Sequence, residues 1–399
     1  MKTIWFVYPY GSILGENSQE TRYLRFGREF SKTYNCVWWT SNYSRRYGKR
    51  LKSEITVQDN LKIMLVPTTP YQKSISIGRV LFELNFARNL RKLWKKGEKA
   101  DLIITPGTGM ITAFRPVWPH IKKMNIKAIF DIMDVHPINT YMEEYHPFLY
   151  PWFKVFDWIN KKREKGFYNS VVGVTALGSM QLEIAKQRTG NRGISSRLIY
   201  NSIYVDEFRK MMNNDCPIEL PGKNDWIWCI YAGTLNPSYD IPTVVECARK
   251  CKENNKKIFF IIVGGGEYAD LCGKSDNVLY LGYHDNRVLP PLYAMCDIGL
   301  CTYATFSTVD MPDKFYDYTA AGLAIVNSLK GESKEYVEGK GLGLQYRAGD
   351  TEDLYKKICR FEDAEFLAEC KKNSWIIGGE FDFSKQVDEL KGLIDEILK

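Results

Sequence analysis

The chain has 399 residues, 45% of them apolar and 26% charged, a globular composition that excludes disorder and outgrows one comfortable hydrophobic core, so two domains are expected. The net charge of +8 hides an asymmetry: residues 1–200 carry 32 Lys and Arg against 15 Asp and Glu, a surplus of 17, and the remainder carries 23 against 32, a deficit of nine. The longest apolar runs, such as Ile258–Val263, fall well short of the roughly 18 residues that a bilayer span requires, so no transmembrane helix is predicted.

In chain order, the N-terminus MKTIWFVYPYGS has one lysine and then a short strand-like run. It lacks the longer apolar core and small-residue cleavage site of a signal peptide, so the chain is expected to stay in the cytoplasm. Strands are predicted at KTIWFVYP, CVWWTS, KIMLVP, DLIITPG, KAIFDIMDV and SVVGVTAL, alternating with amphipathic stretches as in βαβ units on a parallel sheet. Between the third and fourth lies a predicted helix, RVLFELNFARNLRKLWKK, with one apolar and one basic face. Further on, HPFLYPWFKVFDWINKKREKGFY sets aromatics beside cations, a mixture that suits packing on the sheet and also an interfacial surface. A half-chain so basic attracts an anionic partner, whether phospholipid, lipid phosphate or nucleic acid, although a single run such as KKREK also fits a solvated face.

The loop MMNNDCPIELPGKND marks a linker-like shift in composition. A second series follows, with strands at WIWCIYAG, KIFFIIVGG, NVLYLGY, DIGLCTY and LAIVNS and helices at IPTVVECARKCKENN, RVLPPLYAMC and KFYDYTAAG. This half also looks doubly wound. The tail FSKQVDELKGLIDEILK is a strongly amphipathic final helix. The ten cysteines form no CxxC pair, and the four histidines show no ligand spacing, so neither a disulfide framework nor zinc is expected.

In an open parallel sheet, ligands bind beyond the carboxyl ends of the strands. The strand KIFFIIV runs into Gly264, Gly265 and Gly266 and then, as predicted, a helix opening at Glu267, where bare amides and a helix dipole suit a diphosphate. Glycines alone fit a tight turn equally well, but WIWCIYA ends in a matching small or polar loop, Gly233, Thr234, Leu235 and Asn236. In MPDKFYDYTAAG, Pro312 opens a helix, Lys314 supplies a cation, and Asp317 lies one turn after Asp313. An ordinary capped helix with an ion pair is the alternative there.

Taken together, NSIYVDEF, YAGTLNPSYDIPT, IIVGGGEY, NVLYLGY, CDIGLCTY and MPDKFYDYTAAGLAIVNS, over about residues 196–345, resemble the C-terminal half of retaining GT-B glycosyltransferases. The likeness is closest to the large family 4-like group that builds bacterial polysaccharides. In the first half, GENSQETRYLRFGREFSKTYNCVWWTSNYSRR resembles that family's first loop, first helix and second strand. The resemblance implies an α/β protein of two Rossmann-like, doubly wound parallel-sheet domains facing a cleft. Residues 1–200 would take the acceptor, residues 201–380 the nucleotide sugar, and a helix over 381–399 would pack back toward the first domain.

It implies further that Gly233 and Thr234 border the donor phosphates with Gly265 and Gly266 nearby. Asn236, Gly264, Gly282, Tyr283, Pro312, Lys314 and Phe315 would complete the donor site, and Asp317 would face the ribose. Gly11 would belong to the glycine-containing loop against the phosphates. Asp134 and His136, in DIMDVHP, would stand near the transferred sugar as catalytic candidates that orient sugar or acceptor, although His136 also fits a backbone-satisfied loop residue before Pro137. The chain departs from the family in having Asp310 and Asp317 for a pair of glutamates, one residue closer than usual. NPSYD also stands where an Arg and a Lys commonly follow the first C-terminal strand.

The function expected from these features is a retaining, metal-independent glycosyltransferase that needs no cofactor. Its donor would be a UDP- or GDP-linked sugar and its acceptor a saccharide, lipid-linked, in cell-surface glycan synthesis. A peripheral position on anionic lipid at the inner membrane face is expected. Nucleic acid is not, since no reading helix or RNP-type strand is present. The alternatives are a nucleotide-sugar epimerase or hydrolase of the same fold and a non-catalytic sugar-nucleotide-binding subunit.

Overall fold

A computed structural model describes residues 1–10, 21–44, 48–50, 54–58, 60–72, 76–94, 99–107, 118–133, 143, 147–273 and 275–399. The chain forms two compact units, residues 1–199 with 387–399 and residues 200–386. Each is built on its own sheet, as the two runs of apolar segments predict.

In the first unit the strands are β1 (Thr3–Val7), β2 (Asn35–Ser41), β3 (Tyr43–Ser44), β4 (Lys49–Arg50), β5 (Glu54–Gln58), β6 (Leu61–Val66), β7 (Leu102–Pro106), β8 (Lys127–Ile132), β9 (Gly173–Ala176) and β10 (Ser195–Leu198). Eight of them make one sheet in the order β10-β9-β8-β7-β1-β2-β6-β5, and β3 pairs with β4 separately. All neighbours in the large sheet run parallel except β5, which lies antiparallel to β6 and departs from the all-parallel expectation at that edge. The strands are apolar on both sides because helices cover both faces. Along β1, Trp5 and Val7 enter a core shared with Trp39, Phe86, Leu90 and Trp94. Phe6, on the opposite face, meets Tyr23 and Phe30 from the helix Arg22–Phe30.

That helix begins on a buried ion pair. Arg22 Nε donates to Asp131 Oδ2 at 3.0 Å, and the carboxylate also accepts from Tyr23 and from Thr175. The guanidinium reaches the Ile199 carbonyl at 2.7 Å as well. Residues 387–399 close the same side: Leu393 and Ile394 are buried, Tyr34 donates to Asp395, and Arg197 Nη2 lies 3.2 Å from Glu396.

The second unit contains β11 (Ile227–Ala232), β12 (Ile258–Val263), β13 (Val278–Gly282), β14 (Ile298–Cys301), β15 (Ala324–Asn327) and β16 (Gly343–Gln345), in the order β13-β12-β11-β14-β15-β16, all parallel. Strand order reverses at β11, so the gap between the carboxyl ends of β11 and β14 is the topological switch point where such sheets take ligands. Residues of β11 alternate between two buried clusters: Trp228, Ile230 and Ala232 face one, Cys229 and Tyr231 the other. All ten cysteines are free thiols. Among the described residues no helix is long and apolar enough to cross a membrane, and no cluster of His, Cys, Asp and Glu is arranged to hold a metal.

Candidate functional site

Two loops at the switch point of the second unit are zipped together by their backbones. The Gly233 amide donates to the Val263 carbonyl at 2.9 Å, the Leu235 amide to Gly265 at 3.0 Å, and the Tyr268 amide to Leu235 at 3.0 Å. Gly264 is held from both sides, its amide donating to Gly282 and its carbonyl accepting from the Tyr280 hydroxyl. These contacts demand glycine. Gly233, Gly264 and Gly266 have φ of 157°, 137° and 149°, where a side chain is strained. A Cβ on Gly264 would lie 1.8 Å from the Gly233 oxygen, and one on Gly266 2.3 Å from the Leu235 oxygen. At Gly265, by contrast, an added Cβ would have nothing within 4 Å.

The amides of Thr234, Gly265 and Gly266 have no hydrogen-bond partner among the described residues, and Thr234 and Gly266 are exposed. The loop therefore offers a cluster of open donors of the kind that cradles a phosphate. One expectation is corrected. No α-helix opens at Glu267; a three-residue 3-10 turn, Ala269–Leu271, follows instead. Turns fill the described residues from Gly266 to β13, so no helix dipole adds to these amides.

The cation of the site comes from elsewhere in the sequence. The helix Asp313–Ala321 has Pro312 as its N-cap residue, whose fixed ring geometry suits a helix entry, and ends on Gly322 in the left-handed conformation. It carries Lys314 beneath the Gly233 loop: the ammonium would stand 3.2 Å from a Cβ on Gly233. Three tyrosines surround it, with ring centroids at 4.1 Å (Tyr231), 4.4 Å (Tyr239) and 4.8 Å (Tyr303). Lys314 is 7% exposed, and its Nζ has no hydrogen-bond partner among the described residues. Burial pushes the ammonium down to about 8, against the opposing pull of Cys301, Asp313 and Asp317. Burial likewise raises the phenols of Tyr231, Tyr239 and Tyr303, so the rings stay neutral and stabilise the cation through their faces. Nothing in the local sequence singles out any of the three. They come from β11, the loop after it and the loop after β14, which only the sheet order brings together.

Thr234, Gly282 and the 63% exposed Tyr283 sit at strand ends of the same rim. Asn236 turns inward on its own loop, its Oδ1 accepting the Ser238 amide at 2.9 Å, so its side chain shapes the turn. Phe315 is corrected to a core residue: it is fully buried and packs on Tyr336 and Phe381. Asp317 is half-buried on the helix that carries Lys314. Asp310 is buried and accepts the Glu332 amide at 2.7 Å, tying down the start of the helix Glu332–Gly339. Gly11, Asp134 and His136 lie outside the described residues.

Residues 227–363 match the family model described as Glycosyl transferases group 1. No characterised protein matches by sequence. Among solved structures, a sucrose-phosphate synthase from Thermosynechococcus elongatus shares the fold at a TM-score of 0.74 and 14% identity, over 100% of this chain and 99% of that one. HepE from Anabaena in complex with UDP-glucose is similar at a TM-score of 0.67 and 14% identity, over 99% of this chain and 100% of that one. WaaG, a glycosyltransferase involved in lipopolysaccharide biosynthesis, is similar at a TM-score of 0.65 and 11% identity, over 97% and 98%. The fold is that of GT-B glycosyltransferases, and the family match lies within the second unit.

Proposed function

We propose that this chain, a GT-B protein whose second unit carries a glycosyl transferases group 1 domain, moves a sugar from a nucleotide diphosphate to a saccharide acceptor with retention at the anomeric carbon. The observation that carries the reading is the meeting, at one switch point, of loop amides at Thr234, Gly265 and Gly266 with the Lys314 ammonium, all without hydrogen-bond partners among the described residues. A buried cation without an anion is costly, and a diphosphate supplies the missing charge. As the bond from the anomeric carbon to the phosphate oxygen breaks, negative charge develops on the diphosphate, where amides and ammonium stabilise it. The acceptor hydroxyl forms its bond to the same carbon from the same face and passes its proton to the departing phosphate oxygen. Donor-phosphate chemistry of this kind needs neither a metal nor a strong base.

UDP is favoured over GDP by the UDP complexes among the structural relatives. The acceptor is lipid-linked and is taken by the first unit, whose sequence half holds the surplus of 17 cations; this puts the reaction at an anionic membrane surface. The test is thermal stabilisation by UDP, GDP and their glucose conjugates, followed by transfer or hydrolysis of the stabilising donor. Stabilisation by a nucleotide diphosphate that Lys314→Met weakens is the expected result, with sugar release rising when acceptor is added. A chain that no nucleotide stabilises overturns the reading; stabilisation with neither transfer nor hydrolysis makes it a sugar-nucleotide-binding subunit.

A further inference from the structure

The helices on one face of the first sheet leave large apolar side chains in solvent. Around the start of the helix Tyr150–Tyr168, Phe148 is 93% exposed, Trp152 78%, Val155 56% and Trp158 64%. Spacings of four, three and three residues set them along one side. The other end of this helix is anchored, with Phe167 and Tyr168 buried against Trp118 and Phe130. The helix Ile77–Trp94 in the same layer does likewise: Phe86, Leu90 and Trp94 enter the core, while Ile77 is 81% and Leu81 51% exposed. Single exposed apolar residues are ordinary, but ordered stripes of them mark a surface that something covers.

We infer that this helical layer of the first unit docks on an anionic bilayer, with Phe148, Trp152, Val155 and Trp158 entering the headgroup region. Charge complementarity selects the occupant. Lys154 and Lys165 are exposed on the same helix, and Arg88, Arg91 and Lys92 are exposed at the end of the other. Aromatics that sit at the acyl boundary between cations on phosphates are the signature of an interfacial helix. A second copy of the chain pairing two-fold through this stripe would bring those cations face to face. The docking deepens the proposed reaction by bringing a lipid-linked acceptor to the unit assigned to hold it, and in that respect rests on it.

The test floats the whole chain with vesicles of phosphatidylglycerol and phosphatidylcholine and, separately, with phosphatidylcholine alone. Binding to the anionic vesicles that salt reverses is expected, and Trp152→Glu/Val155→Glu should weaken it at least about tenfold with an unchanged melting temperature. Equal binding by the double variant, or wild-type binding indifferent to lipid charge and salt, overturns the inference. A concentration-dependent dimer that the double variant abolishes also overturns it and gives the surface to a second copy. Nucleotide stabilisation of the same variant separates the two readings. If the variant loses vesicle binding while UDP stabilisation stays, the docking face is supported; if the variant loses vesicle binding and no nucleotide stabilises even the wild-type chain, docking stands and sugar transfer falls.

Discussion

The Lys314 ammonium lies 4.1 Å from the centre of the Tyr231 ring, buried and without a hydrogen-bond partner among the described residues. Aromatic faces offset only part of the desolvation of a buried cation. The site is therefore stored in an unfavourable charge state that an anion relieves, and this has a pH signature.

Burial holds Lys314 at about 8, below its ordinary value of 10.5. The unfolded chain thus keeps a proton between about 8 and 10.5 that the folded chain has lost, so this group makes the free protein more stable as pH rises across that window. Binding of a nucleotide diphosphate moves the opposite way, because it needs the ammonium. Calorimetric titration should show affinity falling as pH rises through about 8. Lys314→Met should bind about 10- to 100-fold more weakly at neutral pH, with a flat profile. A wild-type affinity that does not change across this range would remove Lys314 from the phosphate site.

The glycines of the second loop divide by what a methyl group would meet. Gly264→Ala forces a Cβ to 1.8 Å from the Gly233 oxygen, and should cost at least about 2 kcal/mol of stability, read as a lowered urea midpoint. Gly265→Ala has open space around the added carbon. It should leave the midpoint within about 0.5 kcal/mol and instead weaken nucleotide binding, since the methyl stands where the ligand does. The reverse pattern would place the ligand elsewhere.

Asp297 ties together the start of β11 and the last long helix of the second unit. It accepts from the Trp228 amide at 3.0 Å and lies 2.7 Å from Lys223 and 2.9 Å from Lys371. Burial raises its pKa, but the bonds from Lys223, Trp228 and Lys371 outweigh burial and hold the carboxyl below the usual aspartate range. Its stabilisation is therefore complete above the unfolded value and disappears as acid passes through the lower folded one. Asp297→Asn should lose about 1–2 kcal/mol at neutral pH, discounted for the partly exposed lysines. The gap from wild type should close as acid passes below the ordinary aspartate range, checked by urea unfolding at each pH.

The two sheets were legible because their central strands are unbroken apolar runs ended by turn residues, as in IWCIYA before Gly233 and IFFIIV before Gly264. The edge strand β10 was not, since SSRL is polar and half-covered and carries no such pattern. The glycine turns at Gly233 and Gly264 and the helix that carries Lys314 could be read from local sequence, because glycines close a strand and Pro312 opens a helix. Phe315 was misplaced because an aromatic beside a site and an aromatic beneath it look alike in one dimension. The tyrosine cage was invisible, as Tyr231, Tyr239 and Tyr303 meet only through a strand order that skips from β11 to β14. In the first unit, DIMDV drew attention to Asp134, whereas its neighbour Asp131 is the residue seen to be buried against Arg22.

Residues 387–399 belong to the first unit although 187 residues separate them from its main segment, which ends at Ile199. A ribosome therefore releases nearly all of that unit's sheet before the piece that covers Tyr34, Lys127 and Arg197 exists. At ordinary elongation rates the wait is about ten to forty seconds. The second unit is continuous in sequence and has no such wait for a distant piece, so the nascent first unit is the part that needs chaperone protection.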